Sequence, residues 1–89
     1  LIGIVEGIAA QHPDKFALAK NPVEVKKNFK KGLISLPMGM ENGAPIEDDL
    51  ANVAYFHNRG IRYITLTHSK DNQICDSSYD STYTWNGLS

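Results

Sequence analysis

Three apolar segments alternate with stretches of helical character, and this alternation constrains the fold more than any other feature of the 89 residues. Phe16-Ala17-Leu18-Ala19 is the first short apolar run. Leu33 to Met40 is the second, and Pro37 within it makes the pairing segment short or irregular. Arg62-Tyr63-Ile64-Thr65-Leu66-Thr67 is the third and clearest, rich in β-branched and aromatic residues. A helical pattern precedes each. Leu1, Ile4, Val5 and Ile8 keep the spacing of one helix face, which ends before His12-Pro13. Asn21-Pro22 starts the second helix: Asn21 can cap it, Pro22 suits its first turn and Glu24 can reach back. Val25 and Phe29 give that helix a buried stripe, and Gly32 a stop. After the turn Asn42-Gly43-Ala44-Pro45, Asp48 or Asp49 can cap a third helix that ends at Gly60. Leu50, Val53, Ala54 and His57 would share its buried face.

Strands joined by single helices run parallel, so the expected fold is α/β with about three βα units. Three strands form only a sector of a larger α/β fold. Residues 1–89 are therefore expected to be an internal part of one domain. The chain opens at Leu1 directly in a helical pattern and stops at Ser89 with no closing element, which gives the same expectation. From His68 to Trp85 it is rich in Ser, Asp, Asn and Thr and reads as a long loop. Loops of that length are usually functional or disordered.

Composition excludes several function classes. Nine basic residues balance ten acidic ones, so there is no electrostatic footprint for nucleic acid or anionic membrane. Lys26, Lys27, Lys30 and Lys31 cluster near a helix C-terminus, where the dipole favours cations, and read as a solvated face. The single cysteine, Cys75, cannot close an internal disulfide and reads as a packing residue. No apolar run approaches the roughly 20 residues that span a bilayer.

Two polar residues stand out by position. Glu41 directly follows the second strand and His68 directly follows the third. In a parallel barrel the C-terminal strand ends open on one face, where catalytic groups gather. Neighbouring strands would then present a carboxylate and an imidazole side by side, both good zinc ligands. Position alone allows a plainer reading, a helix-start carboxylate and a hydrogen-bonded loop histidine. His12 and His57 read as structural. Asp71, Asp76 and Asp80 lack the spacing of a calcium loop and read as turn residues. Tyr79, Tyr83 and Trp85 either line a pocket wall or anchor the loop.

The string Gly39-Met40-Glu41-Asn42-Gly43, followed by Gly60-Ile61-Arg62-Tyr63-Ile64-Thr65-Leu66-Thr67-His68, resembles the paired motifs of the membrane (renal) dipeptidase family of zinc metallopeptidases. Trp85-Asn86-Gly87-Leu88-Ser89 is similar to that family's approach to its next helix, so the resemblance covers nearly the whole chain. It implies a partial TIM-type (β/α)8 barrel and, in a full-length protein, hydrolysis of dipeptides by hydroxide attack with two zinc ions. It assigns Glu41 as the carboxylate that bridges the two Zn2+ ions. It assigns His68 as the catalytic and substrate-binding residue that contacts the scissile carbonyl. Family members are often exported or membrane-anchored, and a homo-oligomer is compatible with the resemblance. One departure is Asn42, where the family has glycine. The family's His-x-Asp ligand pair and two further histidines are not matched; His12-Pro13-Asp14 fits in letters but sits between a helix and a strand. The 89 residues alone are therefore not expected to be active. A non-catalytic barrel homologue that binds a partner, or another amidohydrolase-type metal hydrolase, stays open on the residues.

Overall fold

The computed structural model describes residues 1–89. The elements are α1 (Ile2–Gln11), β1 (Phe16–Leu18), α2 (Pro22–Lys30), β2 (Ile34–Leu36), β3 (Met38–Met40), a 3₁₀ turn (Ala44–Ile46), α3 (Ala51–Asn58) and β4 (Ile61–Ile64). All strand pairing is parallel, as expected for strands separated by helices.

The second apolar run is two strands rather than one. Phe16, Ala17 and Leu18 of β1 face Ile34, Ser35 and Leu36 of β2. On the other side of Pro37, Met38 and Met40 of β3 face Ile61 and Ile64 of β4. Proline has no N–H for a ladder, so the extended segment changes partner at Pro37. The β3–β4 register shifts between Met38 and Met40, which places Arg62 and Tyr63 as an extra residue's worth of β4. The third strand is also shorter than its sequence pattern. It ends at Ile64, although Thr65 N still donates to Met40 O at 2.9 Å.

Helix α2 begins and ends as its sequence dictates. Asn21 Oδ1 accepts from Glu24 N at 2.9 Å, and Glu24 Oε2 accepts from Lys20 N at 2.6 Å. At the far end Gly32 takes φ +74°, with Leu33 N donating to Asn28 O and Gly32 N to Phe29 O. These are the two bonds of a Schellman stop, which needs a left-handed residue.

The helix faces differ from expectation. In α2 the buried residue is Asn28, whereas Phe29 is 81% exposed. Asn28 Nδ2 donates to Ser35 Oγ at 3.0 Å and to Leu18 O at 3.4 Å, tying β1 to β2. Burial of this amide is tolerated because both bonds satisfy it. In α1, Ile2 and Val5 pack on the core while Leu1 and Ile4 are exposed. That helix is apolar around most of its circumference, so its spacing does not single out the packed face. In α3, Phe56 packs inward and His57 is exposed, with Leu50 84% exposed. Asn52 Nδ2 donates to Ile46 O at 2.9 Å and thereby sets the rotation of α3 against the 3₁₀ turn.

The core is small: Met38, Met40, Ile46 and Ile61, with Ile2, Val5, Leu18, Phe56, Ile64 and Ile74 packed around them. It joins α1, β3, β4 and α3 beneath the strand ends. No helix is long and apolar enough to cross a membrane.

Candidate functional site

Strand β3 aims Glu41 away from this core. Met38 and Met40 are buried, and strand alternation puts Gly39 and the next odd position on the opposite side. The Tyr63 ring lies against Gly39 where a side chain would otherwise stand. Glu41 follows at the strand end and is exposed. On the neighbouring strand, Thr65 N donates to Met40 O, and Gly43 N donates to Leu66 O at 3.1 Å. Glu41 is thus bracketed by two backbone bonds to the segment that leads into His68.

The consequence is contact between the two residues singled out by the sequence. His68 Nε2 lies 3.5 Å from Glu41 Oε1, with side-chain exposures of 61% and 81%. No backbone or side-chain donor other than His68 meets the Glu41 carboxylate. Ser69 Oγ stands 3.5 Å from His68 Nδ1 on the far side of the ring. Glu41 also lies at the rim of a cleft of about 710 Å³ whose wall includes Ile2, Met40, Phe56 and Arg59.

A carboxylate whose only protein partner is the neighbouring imidazole, and that imidazole itself, are donor types that zinc takes, so the pair fits part of a zinc site. Two donors do not complete one, and no cluster of three or more His, Cys, Asp or Glu occurs in the chain. A complete zinc site would need further ligands from outside these residues.

The loop from His68 onward is closed by its own hydrogen bonds. Asp71 accepts from Ser77 N at 2.7 Å and from Thr84 N and Oγ1 at 3.1 and 2.9 Å. Asp76 accepts from Trp85 N and Gly87 N at 2.8 and 2.9 Å. Asp80 accepts from Thr82 Oγ1 at 2.7 Å and from the backbone of Asp71 and Thr82. The three aspartates are therefore turn formers, with their oxygens committed to N–H and O–H donors. Trp85 anchors the loop through Nε1, which donates to Asn72 O at 2.7 Å, while Tyr79 and Tyr83 are largely exposed. Cys75 is buried and bridges Leu88 across a short antiparallel contact. Ser77, 4% exposed, donates through Oγ to His68 O at 2.5 Å and fixes the backbone of that histidine.

These bonds lower the pKa of two carboxyls. The Thr82 hydroxyl, then the Asp71 and Thr82 amides, hold the Asp80 carboxyl down from 3.8 to about 2. The Ser77 amide, then Thr84, holds Asp71 below its ordinary value. Carboxyls depressed in the folded state contribute stability above their unfolded pKa and lose it as pH falls through the folded one. Loop order is thus expected to be constant above about pH 4 and to decline toward pH 2. Amide-exchange protection factors at Ser77, Thr82 and Thr84 measure this; flat protection down to pH 2 would contradict it.

The remaining sequence candidates stay outside the site. His12 is exposed at the end of α1, and its N–H donates to Ile8 O at 3.0 Å. His57 contributes its carbonyl, which accepts from Arg62 Nη1 at 2.6 Å. The four clustered lysines are exposed. Sequence reasoning misses Asn72. Its position after Asp71 signals a turn, but its partners at Asn42 and Leu66 lie on two other segments and leave no local trace.

Comparison with known proteins gives a consistent result. A family profile described as membrane dipeptidase, peptidase family M19, matches residues 1–89. Dipeptidase ataJ of Aspergillus terreus is 35% identical over 79 residues, covering 89% of this chain and 19% of that protein. An uncharacterized dipeptidase of Schizosaccharomyces pombe is 34% identical over 88 residues, 99% of this chain and 22% of that one. The chain thus spans about a fifth of the length of these curated relatives. The crystal structure of a probable dipeptidase, PvdM, from Pseudomonas aeruginosa superposes with a TM-score of 0.92 at 26% identity, over 99% of this chain and 24% of that one. An amidohydrolase from the same organism shares the fold, with a TM-score of 0.90 at 18% identity, over 99% and 26%.

Proposed function

The chain belongs to the membrane dipeptidase family, peptidase family M19, and on that premise we propose that the full-length protein hydrolyses dipeptides at a zinc site, with Glu41 as a metal ligand and His68 as the catalytic, substrate-binding residue beside it. One observation carries the reading. Glu41 and His68 follow adjacent parallel strands and meet at 3.5 Å, in a chain matched by the family along its whole length. Four strands paired in parallel as β1–β2 and β3–β4, with helices before β1, β2 and β4, are further read as a sector of a (β/α)8 barrel, whose strand ends gather catalytic groups.

Glu41 would be a zinc ligand, and its exposed carboxylate is suited to face two cations at once. When bound, two zinc ions supply Lewis-acid polarisation of the scissile carbonyl and a water of lowered pKa. His68 would sit beside the scissile carbonyl and hold its oxygen as negative charge develops there, which is how a preformed donor lowers the barrier. Ser77, bonded to the His68 carbonyl, and the Gly43–Leu66 bond keep that imidazole from drifting away from Glu41. The substrate class that goes with this reading is a dipeptide.

The test is turnover of a Gly-D-Ala-type dipeptide by the full-length protein, with and without a chelator. Chelator-sensitive hydrolysis restored by zinc is expected. Zinc bound without turnover would point to another hydrolase substrate, and neither zinc nor turnover would sink the proposal.

A further inference from the structure

Two asparagine side chains cross-link the segments that carry Glu41 and His68. Asn42 follows Glu41 directly, at a position where the motif it resembles carries glycine. Its Oδ1 accepts from Ala44 N at 3.0 Å and from Asn72 Nδ2 at 2.9 Å. The same Asn72 Nδ2 donates its other hydrogen to Leu66 O at 2.7 Å. Leu66 lies two residues before His68. One amide nitrogen therefore binds the segment behind Glu41 and the segment behind His68 simultaneously. Asn72 is itself held: its Oδ1 accepts from Ile74 N and Cys75 N at 2.9 and 3.3 Å, and its carbonyl accepts from Trp85 Nε1. Asn42 and Asn72 are both half-buried, so the cross-link is partly shielded from competing water.

We propose that Asn42 and Asn72 are a pair of positioning residues that set the distance and orientation between Glu41 and His68. The inference rests on the dipeptidase reading for its chemistry and on the hydrogen bonds alone for its geometry. Neither asparagine touches the reacting atoms. Each acts through the residue it holds, in the way that partners behind a metal ligand orient it.

The experiment uses the full-length protein with Asn42→Ala, Asn72→Ala, the double substitution, and Asn42→Asp, which keeps the acceptor oxygen. Zinc affinity is read by chelator competition, kcat and KM by dipeptide hydrolysis, and backbone order by amide exchange of the metal-free protein. Each alanine variant is expected to lose about 10- to 100-fold in zinc affinity, and to lose kcat with little change in KM. The double variant should be no worse than the poorer single one, because both remove the same link. Asn42→Asp should recover most of the zinc affinity. In the metal-free protein, exchange should quicken in residues 40–44 and 66–68 together whichever asparagine is changed. Additive losses, or exchange that quickens only beside the substituted residue, would overturn the pair. Failure of the dipeptidase reading is seen separately, as absence of turnover or zinc in the unsubstituted protein, and the exchange result still decides the cross-link.

Discussion

Glu41→Gln in the full-length protein is expected to lose bound zinc and to lower kcat/KM by more than about 100-fold. Glutamine keeps the shape and nearly the volume of the side chain. It removes the negative charge and replaces one acceptor oxygen by a donor nitrogen, which a cation does not accept as a ligand. The fold should not notice. The Glu41 side chain is 81% exposed, and its only polar partner is His68 at 3.5 Å. An exposed pair of this kind contributes about 0–1 kcal/mol to stability. The checks are zinc stoichiometry by elemental analysis, steady-state kinetics and the unfolding midpoint of the same preparation. Full zinc content with normal turnover would remove Glu41 from the site, and a large fall in the midpoint would recast it as structural.

Gly43→Ala is expected to destabilise by about 1–3 kcal/mol, for steric reasons alone. Gly43 sits at φ −73°, a conformation alanine adopts freely. On backbone entropy the change would even stabilise slightly. Space decides otherwise. A Cβ at Gly43 would stand 2.5 Å from Ile74 Cδ1 and 3.0 Å from Leu66 O. The Ile74 methyl can turn aside at some cost in packing. Leu66 O cannot easily retreat, since it accepts from both Gly43 N and Asn72 Nδ2. The strain therefore falls on the bond that brackets Glu41. Urea unfolding of the full-length protein measures the loss; an unchanged or raised midpoint would show that the neighbouring loop yields without cost.

The two ends of α2 were legible because their signals are local. Asn21, Glu24 and Gly32 mark α2 by residue type and spacing, and the structure places each bond where that chemistry requires. Glu41 and His68 stood out because each follows an apolar strand run, and parallel pairing then brings them together. What the sequence did not show depends on partners far along the chain. Phe29 looked like the buried residue of α2, yet Asn28 is inside because Ser35 and Leu18 offer its amide two acceptors. Pro37 warned of irregularity without saying that the strand would change partners there. The loop after His68 has no periodicity to read, although its aspartates, threonines and asparagines bond to one another closely enough to give it a defined path.

Trp85 is the one tryptophan among the 89 residues, and its indole N–H is bonded to the carbonyl of Asn72. Indole emission responds to the polarity and mobility around the ring. Within this stretch the chain therefore carries its own optical reporter, wired to the residue that joins the two arms of the site. Loosening at Asn72 would alter the colour and anisotropy of the emitted light before the strands themselves came apart.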